Sequence, residues 1–293
     1  MSWALLSVIS LLSIPFAGCR AGAVASPEAV AQTYVQAVWA RDFAAVYRLL
    51  STDDQAQQAA GAYIAQHGPF EGGMLELARH LAYQIEFSRV QVVVNAGEAT
   101  VTMHLRVPDG NDSDVSEILG EERRTGPLSV ARVQDLKRQL DSLWASGAID
   151  TLEGDQTFRL KQETGRWGIF LNLAEAVRVT FSGAVQGGLP WEFEPLIAEV
   201  LLFPGESARV TYRARNLAAH PITGKARQDT TPAEHANALF FAQCFCLLQE
   251  TLQPGQQELM TAIVRLDRPV SAGTDLRVHY DFYPIEAFPP GGG

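Results

Sequence analysis

Cysteine is scarce in this chain, with three among 293 residues. So few exclude a small scaffold held together by disulfides, and their placement with histidine forms no zinc-type spacing. Positive charge is also short. Lys and Arg number 23 against 33 Asp and Glu, a net charge of −10, which argues against a nucleic-acid partner because that partner needs a basic face. Long apolar runs are lacking too. The most apolar stretch, residues 3–17, falls short of the roughly 20 residues that a membrane-spanning helix requires. The sequence has no internal repeat, no Gly-rich phosphate loop and no evident Ser-His-Asp grouping. The one biased tract is the Pro289-Pro290 tail with its three closing glycines, and 287–293 is expected to be disordered.

What is present is an ordinary globular composition, 47% apolar and 19% charged, with length enough for two domains. Residues 3–17 have the length and apolarity of a signal-peptide core, although no Lys or Arg precedes them. The segment ends Phe16-Ala17-Gly18-Cys19. Small residues followed by cysteine resemble the lipobox of bacterial lipoproteins, with Phe16 where Leu is usual, which implies lipidation of Cys19. Lipidation, an uncleaved anchor and simple cleavage all remain open. Each puts the rest of the chain outside the cytoplasm, at or near a membrane.

The first domain is expected over 26–174. Ser26-Pro27-Glu28 opens a helix: Ser caps it, Pro suits its first position, and Glu favours the positive dipole end. A second helix runs through Val46, Leu49 and Leu50, and a third covers roughly 74–82. Strands at Gln84–Asn95 and Glu98–Val107 meet at a tight Asn95-Ala96-Gly97 turn. Residues 108–126 read as a polar loop, and Val130–Ala145 as an amphipathic helix. A second hairpin pairs Gln156–Gln162 with Trp167–Leu171. Helices followed by hairpins predict an α+β domain with an antiparallel sheet. These segments resemble the nuclear transport factor 2-like (SnoaL-like) superfamily, which implies a cone-shaped domain with a pocket. His104 shares a strand face with Thr100, Thr102 and Arg106, and is the one candidate base, although a histidine on a solvated sheet face is the favoured reading. His67 and His80 have no evident partner, and Tyr34 and Trp39 read as core.

From Ala176 the pattern becomes strands and turns, about seven strands over 176–286, which predicts an all-β immunoglobulin-like sandwich. The stretch with Pro221, Gly224 and Pro232 reads as a loop. Phe240 to Leu248 is apolar and aromatic and reads as a strand. There Cys244 and Cys246 share one face, about 6.5–7 Å apart. At that separation they are poorly placed to bond each other and well placed to offer two sulfurs to a soft metal or a partner's thiols. The alternative is that both are small buried hydrophobes.

Trp191-Glu192-Phe193-Glu194-Pro195, Pro204-Gly205-Glu206, Ala214-Arg215-Asn216 and Cys244-Phe245-Cys246 follow one another here. In that order they resemble the CtaG-type copper-assembly proteins of cytochrome c oxidase, over 176–286. The resemblance implies a non-enzymatic domain on the periplasmic side of the inner membrane, anchored by lipid or an N-terminal segment. It implies Cu(I) on Cys244 and Cys246, delivery to the oxidase subunit carrying the Cu B site, and a possible homodimer through the copper site. Leu247 stands where the family has Phe and is expected to pack as an apolar residue. The family's third cysteine has only Cys19 as a counterpart; a lipidated Cys19 has no thiolate to offer. Among other donors, His220, His235, His279 and Met260 are weaker, Trp191 and Phe193 read as packing, and Arg213 and Arg215 face a partner or water. The rival readings are a scaffold of oxidase assembly that has lost copper, and a small-ligand-binding or enzymatic N-terminal domain.

Overall fold

The computed structural model of the protein describes residues 25–271 and 273–289. The expected anchor with Cys19 and the closing glycines lie outside the described residues.

Five helices come first: α1 (Pro27–Trp39), α2 (Phe43–Leu49), α3 (Thr52–Gln57), α4 (Ala60–His67) and α5 (Gly72–Ala82). Ser26 caps α1 through the Ala29 amide, with Pro27 at its start as expected. An antiparallel sheet of order β1-β2-β3-β4 follows, made of β1 (Glu86–Asn95), β2 (Glu98–Pro108), β3 (Thr151–Glu163) and β4 (Arg166–Ile169). The β1–β2 loop is Ala96-Gly97, both residues at positive φ, the backbone that a two-residue hairpin requires. One face of β2 (Ala99, Val101, Met103, Leu105) is buried against the helices.

Between β2 and β3 the chain forms α6 (Ser113–Leu119), α7 (Glu121–Thr125) and α8 (Val130–Ser146). The loop expected over 108–126 is therefore mostly helical. Asp112 is the reason for α6: its carboxylate accepts from the Asp114 and Val115 amides at 2.9 and 3.1 Å, satisfying donors a first turn leaves open. Val115, Ile118 and Leu119 then bury the other face.

The remaining chain is β-structure: β5 (Val177–Val185), β6 (Trp191–Pro195), β7 (Glu199–Leu202), β8 (Ser207–Asn216), β9 (Ile222–Thr231), β10 (Leu239–Gln243), β11 (Gln249–Leu252), β12 (Gln257–Leu266) and β13 (Asp275–Pro284). They form two sheets, β10-β12-β8-β6 and β11-β9-β13-β5-β7. The stretch expected to be a loop holds β9, which pairs with both β11 and β13. Side chains alternate in and out, so Trp191, Phe193 and Tyr212 of one sheet meet Tyr280 and Phe282 of the other at 5.0–5.2 Å between rings. These residues and the strand interiors form one core, while the helices and the first sheet enclose another.

The two cores meet where α4 lies on the edge strand β7. Gln66, buried, accepts from the Leu201 amide at 3.3 Å and donates to the Leu201 carbonyl at 3.0 Å. It thus takes the place of a neighbouring strand on an edge that would otherwise be unpaired. Elsewhere the backbones of the first unit touch directly. Ser51 donates to the Ile169 carbonyl at 2.7 Å, and a Cβ at Gly168 would fall 2.8 Å from the Ser51 Cα.

Two outcomes follow for urea unfolding. Gly168→Ala should cost about 1–3 kcal/mol, since backbone and no flexible side chain blocks the new methyl. Asp112→Ala should cost about 1 kcal/mol through loss of the cap. Backbone donors, led by the Asp150 amide, hold the Asp112 carboxyl below its usual range. Its contribution is therefore full above the unfolded value near pH ~3.9 and lost as pH falls through the folded value; equal stability of mutant and wild type at pH 7 would refute the cap.

Candidate metal centre

The cysteine segment crosses between the two sheets. β10 is the edge of one sheet and β11 the edge of the other, so the chain must leave its first ladder to join the second. It does so after Gln243. Cys244 is still extended, and Phe245–Leu247 form a single 3-10 turn closed by Leu247 and Leu248 amides donating to the Cys244 and Phe245 carbonyls.

This corrects two expectations. The strand ends before the cysteines, and the pair does not stand apart as a strand would hold it. The turn brings the Cα atoms to 5.2 Å, inside the range a disulfide accepts, and Cys244 is joined to Cys246. Leu247 is corrected as well: it is 74% exposed and lies outside the packed core.

Phe245 fixes the corner. Its ring is buried within 4.7 Å of the Tyr280 ring and 5.3 Å of the Tyr212 ring, with Phe193 at 5.9 Å. With Phe245 turned inward, Cys246 is left half-buried at the surface, while Cys244 is buried against the core. The Cys244 Sγ lies 3.6 Å from the Tyr280 hydroxyl and accepts from the Cys246 amide at 3.2 Å. Burial pushes the Tyr280 phenol up, so it keeps its proton and remains a donor. Phe240, Leu247, Leu248 and Leu259 are exposed on the segment and the strands beside it.

When reduced, the corner presents two soft thiolates, one partly accessible, next to a fixed hydroxyl donor. That donor set suits a soft cation. No group of three or more His, Cys, Asp or Glu side chains is placed to hold a metal among the described residues, so the pair is a two-donor site. His220, His235 and His279 do not join it into such a cluster, and Met260 is buried in β12. Trp191 and Phe193 are core, as expected. Arg213 and Arg215 pair across the ladder with Glu194 and Glu192. The residue that sequence reading missed is Tyr280. The alternation Leu276, Val278, Tyr280, Phe282 marks it as inward-facing on a core strand.

A Ser-His-Asp contact does exist, contrary to the reading of the sequence. Ser182 Oγ is 2.7 Å from His279 Nδ1, and His279 Nε2 is 3.2 Å from Asp281 Oδ1. It follows from register: His279 lies opposite Ser182 in the β13–β5 pair, and Asp281 is two residues on. The group lies on the outer face of a sheet whose amides are engaged in the ladder, which offers no oxyanion donors to a reacting carbonyl. His104 likewise has carboxylate partners, Asp155 at 2.7 Å and Glu153 at 3.7 Å. It faces outward from β2, opposite the filled Val101 and Met103 face, and lines an open groove of about 510 Å³ with Glu86, Phe87, Ser88, Arg106 and Glu153. His80 pairs with Asp141 at 2.7 Å.

The fold and the corner define a class: a two-sheet β unit with a cysteine pair at a sheet crossover, carried behind a helical and β unit. Comparison with known sequences is specific. The family described as "Cytochrome c oxidase assembly protein CtaG/Cox11" matches residues 151–284. The cytochrome c oxidase assembly protein CtaG of Sinorhizobium medicae is 38% identical over 46% of this chain and 68% of its own length. Those of Rhizobium meliloti and Sinorhizobium fredii are 37% and 36% identical over 41% and 40% of this chain. The chain covers 64% and 62% of these two, about two thirds of the relatives it matches. The chain belongs to the CtaG/Cox11 family. Among solved structures, native E. coli alpha-2-macroglobulin aligns at 12% identity and a TM-score of 0.23, over 67% of this chain and 17% of that one; so low a score bears on nothing here.

Tyr280→Phe should leave the fold intact and raise the pKa of the reduced Cys244 thiol by about one unit, ~1.4 kcal/mol, because the hydroxyl favours the thiolate. The pH dependence of alkylation, followed by mass spectrometry, reads this directly; an unshifted profile would remove Tyr280 from the site.

Proposed function

We propose that this protein is a membrane-tethered copper metallochaperone of cytochrome c oxidase assembly. Cys244 and Cys246 bind Cu(I) as cargo and pass it to the Cu B centre. The observation that carries this reading is the convergence of the two sulfurs at one partly exposed corner, within the segment shared with the family. The names of the matched relatives support the assembly role.

The chemistry is consistent with delivery. Opening the disulfide takes up two electrons and two protons to give two thiols. Cu(I) binding then displaces the thiol protons, so affinity falls as pH falls. Two protein donors leave copper open to a partner's ligands, which permits stepwise exchange, whereas a closed cage resists it. The exposed Leu247, Leu248 and Phe240 give that partner an apolar surface. On this reading Cys19 carries lipid, the chain works on the periplasmic side of the inner membrane, and two copies pair through their copper sites. The two facing sheets support an immunoglobulin-like assignment for 176–286. The order of helices and antiparallel sheet supports the nuclear transport factor 2-like assignment for 26–174.

A second reading, an assembly scaffold without copper, draws on the closed disulfide, which offers no thiolate. Anaerobic Cu(I) titration against a chelating competitor separates the two. Reduced protein should hold about one Cu(I) per chain, and the Cys244→Ser/Cys246→Ser variant and the oxidised protein should hold none. Equal copper in wild type and variant would favour the scaffold.

A further inference from the structure

A cavity of about 380 Å³ lies at the seam of the two cores, a size at which proteins hold small organic molecules. Helices α1, α2 and α4 form one side, and Leu201, Phe203 and Glu206, at the end of β7 and in its crossover to β8 in the other sheet, form the other. Its walls are apolar and aromatic, with Phe43, Leu171, Leu173, Leu201 and Phe203 among them. It is remote in sequence from the cysteine corner and independent of the copper reading.

The polar groups in it are few and arranged. Tyr34 and Tyr63 both line the cavity, and neither hydroxyl has a hydrogen-bond partner among the described residues. The Tyr63 side chain is only 3% exposed as a whole, yet its hydroxyl is not sealed off from solvent, so it opens onto the cavity with its bonding capacity unused. His67 is held in one tautomer. Its Nδ1 lies 2.7 Å from the Tyr63 carbonyl, which can only accept, so Nδ1 carries the proton and Nε2 is left as an acceptor. Its ring is stacked on Phe43 at 4.7 Å and tilted on Tyr63 at 4.4 Å. Gln66 is already engaged with Leu201 and Gln58.

The surroundings disfavour charge. Burial pushes the Tyr34 and Tyr63 phenols and the Glu206 carboxyl up, and pushes the His67 imidazole down, so each is driven toward its neutral form. Arg41, whose guanidinium donates to the His67 and Gly68 carbonyls, further opposes an imidazolium. An anionic ligand would lose its hydration here beside the Glu206 carboxyl, with no Lys or Arg among the lining residues. A flat apolar ring fits between the aromatic walls. A hydroxyl on it can donate to His67 Nε2 while accepting from a tyrosine hydroxyl.

We propose that the seam cavity is a binding site for a neutral aromatic alcohol of the phenol or hydroquinone class, held by Tyr34, Tyr63 and His67 and closed by Leu201 and Phe203. Because both units supply walls, the ligand bridges them and stabilises their seam.

Calorimetric titration of the full chain with 2-naphthol tests this. Saturable binding at one site per chain is expected. Tyr34→Phe and Tyr63→Phe should each weaken it about tenfold, as loss of one buried hydrogen bond does. Tyr83→Phe, at an exposed position, should leave it unchanged. 2-Methoxynaphthalene, which cannot donate, and the anion 2-naphthoate should both bind at least about tenfold more weakly. Val38→Trp, which fills the cavity from a partly exposed wall, should abolish binding in a protein whose circular dichroism is unchanged. The Cys244→Ser/Cys246→Ser variant should bind 2-naphthol as wild type does, which separates this site from copper. No saturable binding, equal affinity for the methoxy compound, or wild-type affinity in both tyrosine variants would overturn the proposal.

Discussion

Phe245 is the residue on which the cysteine corner depends. A buried aromatic side chain contributes about 1.5–3 kcal/mol, and each well-placed aromatic pair adds about 0.5–1.5 kcal/mol. Phe245 pairs with Tyr280, Tyr212 and Phe193 at once, so its inward position is the strongest local demand on the segment. The neighbours on either side adjust to it. Cys244 is drawn against the core near Tyr280, and Cys246 emerges at the surface. Because the chain must also change sheets at this point, the backbone turns, and the turn brings the two sulfurs together. The site is thus a consequence of anchoring one ring at a crossover, with no dedicated metal cage around it.

The sequence was legible wherever the alternation of one strand carries the information. The inward row of β13, the buried face of β2 and the cap of α1 all follow from local pattern. The turn at Cys244 was not legible, since Gln243 to Leu248 contains neither Gly nor Pro and an apolar run looks the same whether it continues or crosses over. What ended the strand was the identity of its neighbours, β12 before the turn and β9 after it, and that is a long-range fact. β9 was missed for a related reason. Its residues are mostly polar with Gly224 inside, so it has weak strand propensity and is held by ladders on both sides. The α6 helix had a usable signal in Asp112 and the apolar residues after it, but its short length made a loop the simpler reading. The seam cavity had none, because Tyr34, Tyr63, His67 and Glu206 meet only after both units are folded.

The histidines show why contact geometry alone is a poor guide to chemistry. Ser182, His279 and Asp281 reach hydrogen-bond distance because a parallel register puts two of them opposite each other. His104 meets Asp155 because of an antiparallel one. Each arrangement is what polar side chains do on the outer face of a sheet, where they find partners across the ladder. The Ser182 group offers no free backbone donors to developing charge, and the His104 groove is open to solvent with its cation, Arg106, already paired with Glu86 and Glu153. The cysteine corner differs in that reduction turns its closed disulfide into two adjacent thiols that can give up protons to a soft cation, with the Tyr280 hydroxyl and the Cys246 amide beside the inner sulfur. Sulfurs that a cation can take by displacing protons are better candidates for metal traffic than histidines already paired with carboxylates.

The seam also constrains what the N-terminal unit can be. A spacer that only sets distance needs no buried polar contact with the domain it carries. Here Gln66 holds both backbone groups of Leu201 and is itself held by Gln58. Withdrawing α4 would exchange both bonds to Leu201 for bonds to water, at about 0.5–1.5 kcal/mol each, and would expose the apolar walls formed by Leu201 and Phe203. The two units are therefore joined at this seam by hydrogen bonds and shared apolar walls, more than a spacer that only sets distance would need.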